Sequence, residues 1–344
     1  MVRLVDIAER VGLSVMTVSK ALRDQPDVSK KTRDRIKAAA VEMGYTPDPS
    51  AISIRTGVTK LFGLVIPTTT NPIFARMLYA IEEQTHALGY DLLLCHTLNM
   101  PEREETCIRR LLSRRVDGIF ISPVYRMGND SRIYRELQKS RTPVVLLGSP
   151  AAFCSQFASV QAEELNGSYA ATKHLLELGH RRIAYLTGPL PAIWAQERYE
   201  GFRRAHHEAG LVVDDSLVFH AGSTIEDGAK AALQFASERC DATAIQAAND
   251  MVAIGCAETL IRQGIKIPTD ISIVGFGNVL AAEHFRVPLT TIRQPKYRMG
   301  VAAVEMMSQL LREECVESRR LTAELIVRES TTKRDADCPP GRPI

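Results

Sequence analysis

Apolar and polar residues follow two different rhythms along this chain. Between residues 4 and 11, Leu4, Ile7, Ala8 and Val11 recur at the i, i+3, i+4, i+7 spacing of a short amphipathic helix, and Gly12 supplies the positive φ that ends it. Ser14 is placed to cap a second helix, which carries Val15, Val18 and Leu22 on one side and Thr17, Ser19 and Lys20 elsewhere. A third helix is predicted after Ser29, through Ile36, Ala39, Ala40 and Met43 to Gly44, with Pro47 blocking its continuation. Two short helices separated by a glycine suggest a helix-turn-helix. Three helices in about 45 residues bury little surface, so this unit is expected to be marginal without a partner. Asp48-Pro49 then opens one or two helical turns over residues 50–55, too short to be stable alone.

From residue 61 the pattern changes. Apolar runs at 61–66, 91–95, 118–121 and 144–147 alternate with helical stretches, and the rhythm restarts at 183–186, 217–219, 244–247 and 271–274. This predicts parallel sheets covered on both faces, arranged as two similar α/β lobes, with 289–292 as the returning crossover. Residues 333–344 hold three prolines and no apolar periodicity, so a disordered tail is expected, without a leucine heptad to build a tetramer. The expected division is 1–47, a helix-turn-helix unit; 48–60, a hinge and linker; 61–332, a two-lobed ligand-binding and dimerisation domain; and 333–344, the tail.

Composition narrows the function classes. With 344 residues, 45% hydrophobic and 24% charged, the chain suits two or three globular units and excludes a collagenous or wholly disordered protein. Its apolar runs fall far short of the ~18 residues that span a bilayer, so no membrane partner is expected. Asp6, Glu9 and Arg10 interrupt any apolar core of an export signal, which points to the cytoplasm. The seven cysteines are odd in number, scattered and never C-x-x-C, arguing against both a disulfide framework and a zinc site. No cofactor or metal is expected. Residues 1–60 carry 11 Lys/Arg against 7 Asp/Glu, while the remainder carries 32 against 33, so the basic character sits at the amino end.

Helix-turn-helix geometry puts the start of the second helix in the major groove of DNA. Val15, Met16 and Lys20 are then candidates for base contact, and Thr17 and Ser19 for phosphate contact. The competing reading is that Val15 and Val18, three apart, both pack inward. Lys20 can donate to guanine as a single point charge, without the fork of an arginine. The run Gly275-Phe276-Gly277-Asn278-Val279-Leu280 starts like a dinucleotide fingerprint but lacks its third glycine, and no G-x-x-x-x-G-K, H-E-x-x-H or G-x-S-x-G occurs, so nothing argues for catalysis.

The chain resembles the lactose-repressor/galactose-repressor family of bacterial transcription regulators from Leu4 to about Ser330. The residues that carry this are Asp6-Ile7-Ala8, Gly12-Leu13-Ser14, Thr17-Val18-Ser19-Lys20, Val28-Ser29, Thr32-Arg33, Gly44-Tyr45-Thr46-Pro47, Gly179-His180-Arg181-Arg182-Ile183-Ala184, Asn249-Asp250, Gly275-Phe276 and 288–295, Pro-Leu-Thr-Thr-Ile-Arg-Gln-Pro. The resemblance implies an N-terminal all-α headpiece with a hinge helix, then a periplasmic-binding-protein-like α/β core of two lobes with parallel sheets. It implies a homodimer on a near-palindromic operator of double-stranded DNA, and a small sugar-like effector in the cleft. Ser14 and Thr32 join the headpiece contacts, and the hinge adds Ala51, Ile54 and Arg55, with Ile54 where the family wedges a leucine between base pairs. Effector positions carried over are Asn71, Phe74, Trp194, Arg198, Asn249 and Asn278, all expected at or after strand carboxyl ends. Simple core burial competes for Phe74 and Trp194, and a helix-surface salt bridge for Arg198.

Two departures bear on the effector. Gly148 and Gly277 stand where many sugar-responsive members have aspartates, and with Arg198 kept and Lys296 nearby the pocket is expected to be positive. An anionic effector, a sugar acid or sugar phosphate, follows as the expectation. Two other classes share such an architecture. A transport receptor would need an export signal and no residues 1–57, and an enzyme would need an arranged nucleophile, base or phosphate loop.

Overall fold

The computed structural model describes residues 2–46, 57–238 and 241–334. The chain separates into two compact units, Met1–Thr59 and Lys60–Ile344. The expected hinge contacts Ala51, Ile54 and Arg55 lie outside the described residues, as does the expected tail from 335 onward.

The first unit is three helices, α1 (Leu4–Val11), α2 (Val15–Leu22) and α3 (Lys30–Glu42). Local chemistry sets each boundary. Gly12, at φ 65°, closes α1; the Ser14 hydroxyl accepts from the Thr17 N–H to open α2, and the Ser29 hydroxyl accepts from the Thr32 N–H to open α3. The shared core is Ile7, Ala8, Val11, Val18, Ala21, Val28, Ile36 and Ala40. Arg35 crosses from α3 to donate to the Val11 carbonyl at 2.6 Å, satisfying one of the acceptors that a helix end leaves open.

The second unit begins with β1 (Leu61–Ile66), α4 (Pro72–Ala87), β2 (Asp91–His96), α5 (Pro101–Ser113), β3 (Gly118–Ile121), α6 (Arg132–Ser140), β4 (Val144–Leu147) and β5 (Ala158–Ala162). After a first crossover at Glu163 come α7 (Glu164–Glu177), β6 (Ile183–Thr187), α8 (Ile193–Glu208), β7 (Val218–His220), α9 (Ile225–Ser237), β8 (Ala244–Ala247), α10 (Asp250–Arg262), β9 (Ser272–Gly277), α11 (Leu280–Glu283) and β10 (Thr290–Arg293). The chain returns through α12 (Lys296–Leu311) and β11 (Arg319–Leu321), then crosses once more to β12 (Glu324–Ile326).

Two six-stranded sheets result, ordered β11-β5-β4-β3-β1-β2 and β12-β10-β9-β8-β6-β7. All pairings are parallel except β10 with β12. Each sheet has buried apolar clusters, led by Phe62, Leu64 and Phe120 in the first lobe and by Tyr185, Phe202 and Phe276 in the second. This is the two-lobed α/β architecture expected, with one correction. The segment 289–292 is not the crossover: Thr290–Arg293 is a strand of the second sheet, and the chain changes lobe just after it, at Gln294 and Pro295. In each lobe the strand order reverses at β1 or β6, which opens a crevice beyond the strand carboxyl ends.

Candidate functional site

In the helical unit, the start of α2 is turned to solvent. Val15 is 43% and Met16 69% exposed while Val18 is fully buried, so the i, i+3 valines divide and only Val18 belongs to the core. The Ser14 hydroxyl lies 2.8 Å from that of Thr17, and the Thr32 hydroxyl 2.9 Å from that of Ser29, so both capping pairs hold hydroxyls at helix N-termini, where backbone N–H groups favour phosphate. Ser19 is half-buried and its carbonyl accepts from Arg23. Lys20 donates to Asp27 and its side chain keeps 39% exposure, and this contact holds the Asp27 carboxyl below the usual carboxylate range. Lys20 must exchange that partner to reach a base.

In the larger unit, the crevices of the two sheets face a common cavity of about 350 Å³. Loops after β1 and β3 supply Pro67, Asn71 and Ser122–Tyr125, those after β6 and β8 supply Pro189 and Asn249, and the first turn of α8 supplies Trp194. Five of the six expected effector residues line it: Asn71, Phe74, Trp194, Arg198 and Asn249. Asn71 and Asn249 each cap the helix that follows, accepting from the Ile73 and Val252 N–H groups, which fixes both amides at the cavity edge. Phe74 serves the core as well, packing against the first-lobe cluster while facing the cavity.

Asn278 is the exception. It is held at φ 50°, its side-chain oxygen accepts from Arg328 at 2.8 Å, its carbonyl accepts from Lys296, and it does not line the cavity. Lys296 is also turned away, its ammonium bound to the Gly277 and Asn278 carbonyls and its pKa lowered to about 8 by burial. Buried Asp250 completes this turn by accepting from the Thr291 hydroxyl and the Val279 N–H.

Arg198 is buried to 4% exposure, and its partner was not foreseen. Its Nε donates to one oxygen of Glu164 at 2.7 Å, Nη2 lies 2.6 Å from the same oxygen in an ion pair, and Nη1 donates to the Ala248 carbonyl. The other Glu164 oxygen accepts from Gln294 at 3.0 Å. Burial pushes the Glu164 carboxyl above its ordinary range against the pull of Arg198. The guanidinium is sandwiched between the rings of Trp194, at 4.6 Å, and Phe276, at 3.6 Å. Two glycines permit this packing. A Cβ on Gly188 would stand 2.7 Å from the Trp194 ring, and one on Gly201 would stand 2.2 Å from the Leu165 carbonyl, so α8 could not approach α7. The expected positive pocket is therefore corrected: Glu164 neutralises Arg198, and Lys296 is elsewhere.

The lobes are also tied at the rim. On α8, Glu197 accepts from the Ser149 hydroxyl at 2.9 Å and from Arg320 at 3.1 Å, both first-lobe groups. Tyr125 donates to the Ser149 carbonyl at 2.7 Å. Behind that wall, buried Glu104 accepts from the Val124 N–H and the Tyr134 hydroxyl and pairs with Arg126, fixing the backbone that lines the cavity.

A helix-turn-helix unit joined to a receptor with a ligand cavity at the switch points of two parallel sheets defines a ligand-responsive DNA-binding regulator. Residues 3–48 match the family model described as bacterial regulatory proteins, lacI family, and residues 59–329 match periplasmic binding proteins and sugar binding domain of LacI family. The chain belongs to the LacI family and is a DNA-binding transcriptional repressor, not an enzyme. The HTH-type transcriptional repressor PurR of Photobacterium profundum is 32% identical over 338 residues, covering 96% of this chain and 98% of that protein. The lac repressor dimer bound to operator and the anti-inducer ONPF superposes with a TM-score of 0.86 at 26% identity, covering 96% of this chain and 99% of that one. The complex of the transcriptional regulator CelR with cellobiose has a TM-score of 0.72 at 27% identity, covering 96% and 100%.

Proposed function

We propose that the protein works in the cytoplasm as a homodimer on a near-palindromic operator, and that a small carbohydrate-like molecule in the cleft between the lobes releases it from DNA. The carrying observation is the cavity itself. The lone tryptophan, Trp194, lines it together with groups able to bond hydroxyls, namely Asn71, Asn249, Ser122, Ser223 and the Arg198–Glu164 pair. Related regulators of the same fold support this reading, one being a cellobiose complex and another a repressor dimer on operator.

The coupling is by population. A ligand held by both lobes favours one lobe arrangement, and that arrangement sets how the two headpieces are presented to the duplex. Residues 48–56 are the segment through which the change would pass, with Ala51, Ile54 and Arg55 as its DNA contacts. At the headpiece, Val15, Met16 and Lys20 read base edges, while Ser14, Thr17, Ser19 and Thr32 hold phosphates.

Genomic fragments retained by the purified chain at low ionic strength, followed by footprinting, give the operator; sedimentation gives the assembly state. A dimer protecting a two-fold symmetric site, released on titration with a mono- or disaccharide panel, is expected. A monomer that ignores genomic fragments would overturn the reading.

A further inference from the structure

We infer that Glu164 sets the charge class of the effector: as a built-in counter-anion to Arg198, it reserves the cleft for uncharged, hydroxyl-bearing ligands and shuts out acids and phosphates. This rests on the cleft being the effector site.

Among the described residues lining the cavity, Glu164 and Arg198 are the charged ones, so the lining is balanced. The pair is preformed and deep, Glu164 and Arg198 each being 4% exposed. Of the five N–H donors of a guanidinium, Nε is engaged by Glu164 and one on Nη1 by the Ala248 carbonyl, which leaves donors for a ligand. A carboxylate has about four lone-pair sites, and Arg198 and Gln294 each take at least one. What the pair offers is unused donors beside an unused acceptor. A hydroxyl, which both donates and accepts, satisfies that arrangement. An incoming carboxylate or phosphate would have to displace Glu164 or lie against a like charge in a buried site, where such repulsion is weakly screened.

Trp194, the single tryptophan, lies 4.6 Å from the Arg198 guanidinium and reports on the pair directly. The probe is inorganic sulfate, titrated into the full chain at constant ionic strength while Trp194 emission is followed. In the wild type, emission should stay flat across the millimolar range. In Glu164→Gln, which frees the guanidinium, sulfate should produce a saturable change with a midpoint roughly tenfold or more below any wild-type response. The double variant Glu164→Gln, Arg198→Gln should be flat again. Glu164→Asp, which draws the carboxylate back while keeping the charge, should show a smaller gain and carries the test should the amide variant not fold.

Saturable sulfate binding by the wild type as tight as by Glu164→Gln would overturn the inference, as would a folded variant that gains nothing. Failure of the effector reading looks different: sulfate still separates wild type from variant at Trp194, while no carbohydrate changes operator binding by the wild type.

Discussion

Removing Glu197 should loosen the two lobes without touching the effector cavity. Its carboxylate is the C-terminal-lobe half of a contact completed by Ser149 and Arg320 of the other lobe. The Arg320 side chain is 53% exposed, so that pair contributes about 0.5 kcal/mol, the ordinary value for a solvated ion pair. The Ser149 hydrogen bond to a charged acceptor on a side chain only 18% exposed adds about 1.5 kcal/mol. Glu197→Ala therefore shifts the ratio of the present lobe arrangement to more open ones by about 2 kcal/mol, roughly 30-fold.

The assay is single-molecule energy transfer between labels at exposed positions of each lobe, Glu102 on α5 and Arg203 on α8. Glu197→Ala and Arg320→Ala should both broaden the distribution toward longer distances, and their effects should be less than additive because they remove one contact. Glu197→Arg combined with Arg320→Glu should restore only the ion-pair share, about 0.5 of the ~2 kcal/mol, because the Ser149 hydroxyl loses its carboxylate acceptor. An effector that prefers the present arrangement should bind Glu197→Ala more weakly, by no more than the same factor. Unchanged distances in both single variants, or strict additivity, would refute the idea that this contact bridges the lobes in solution.

Other expectations follow from the same geometry. Lys20→Met should cost operator binding about 1–2 kcal/mol, roughly 5- to 30-fold, and non-specific duplex binding much less; equal losses in titrations at fixed salt would reduce Lys20 to a phosphate contact. Ile7 is fully buried in a core of eight small and medium side chains, so Ile7→Ala should cost about 2–4 kcal/mol, abolishing operator retention while calorimetry finds the receptor transition unmoved. Burial holds the imidazoles of His174, His180 and His206 below their usual value of 6.5. The unfolded chain thus takes up protons on these groups at a higher pH than the native protein does, so the stability they confer is present above pH 6.5 and is lost progressively as pH falls below it. His180→Gln, which removes one such group from its bonds to Thr243 and Thr332, should flatten the pH dependence of the receptor's unfolding free energy below 6.5 by up to about 1.4 kcal/mol per pH unit; an unchanged slope would show that His180 does not contribute.

What the sequence made legible was whatever is decided locally. Gly12, Ser14 and Ser29 act within three or four residues of themselves, so the helices they bound were readable from spacing alone. Central strands were readable where burial on both faces makes a short unbroken apolar run, as in Val144–Leu147, but Ala158–Ala162, almost as buried, carries no such run and was not. The three-residue strands β11 and β12 were not, since their half-buried residues carry no such run. The charge of the cavity was the larger miss. Arg198 and Lys296 were visible as cations, but what neutralises or diverts them is remote in the chain: Glu164 is 34 residues from Arg198, and Gln294 is 130 from Glu164. Asn278 was misplaced for the same reason, its side chain being claimed by Arg328 across 50 residues. A glycine-rich turn after a strand announces a place near a cleft, but which way its side chains face depends on partners that spacing does not reveal.

The position of Glu164 also ties the cleft to the crossovers between the lobes. The chain passes between lobes at Glu163, at Gln294–Pro295 and at Thr322–Ala323. The Glu163 N–H donates to the Leu321 carbonyl at 2.9 Å, joining the first passage to the third, and Gln294 donates to Glu164, joining the second to the first. Arg198, from the helix that carries Trp194, closes onto the same carboxylate. A ligand that bonds the free edge of this pair therefore touches the groups that hold the crossovers together, and needs no relay through the body of either lobe. Because buried hydrogen-bonded pairs have few alternative geometries, small displacements there are converted into discrete lobe arrangements rather than absorbed by gradual deformation. If the effector binds Arg198 and Glu164 as proposed, its binding energy acts on groups that join the crossovers, so substitutions of Gln294 should alter effector response even where effector affinity changes little.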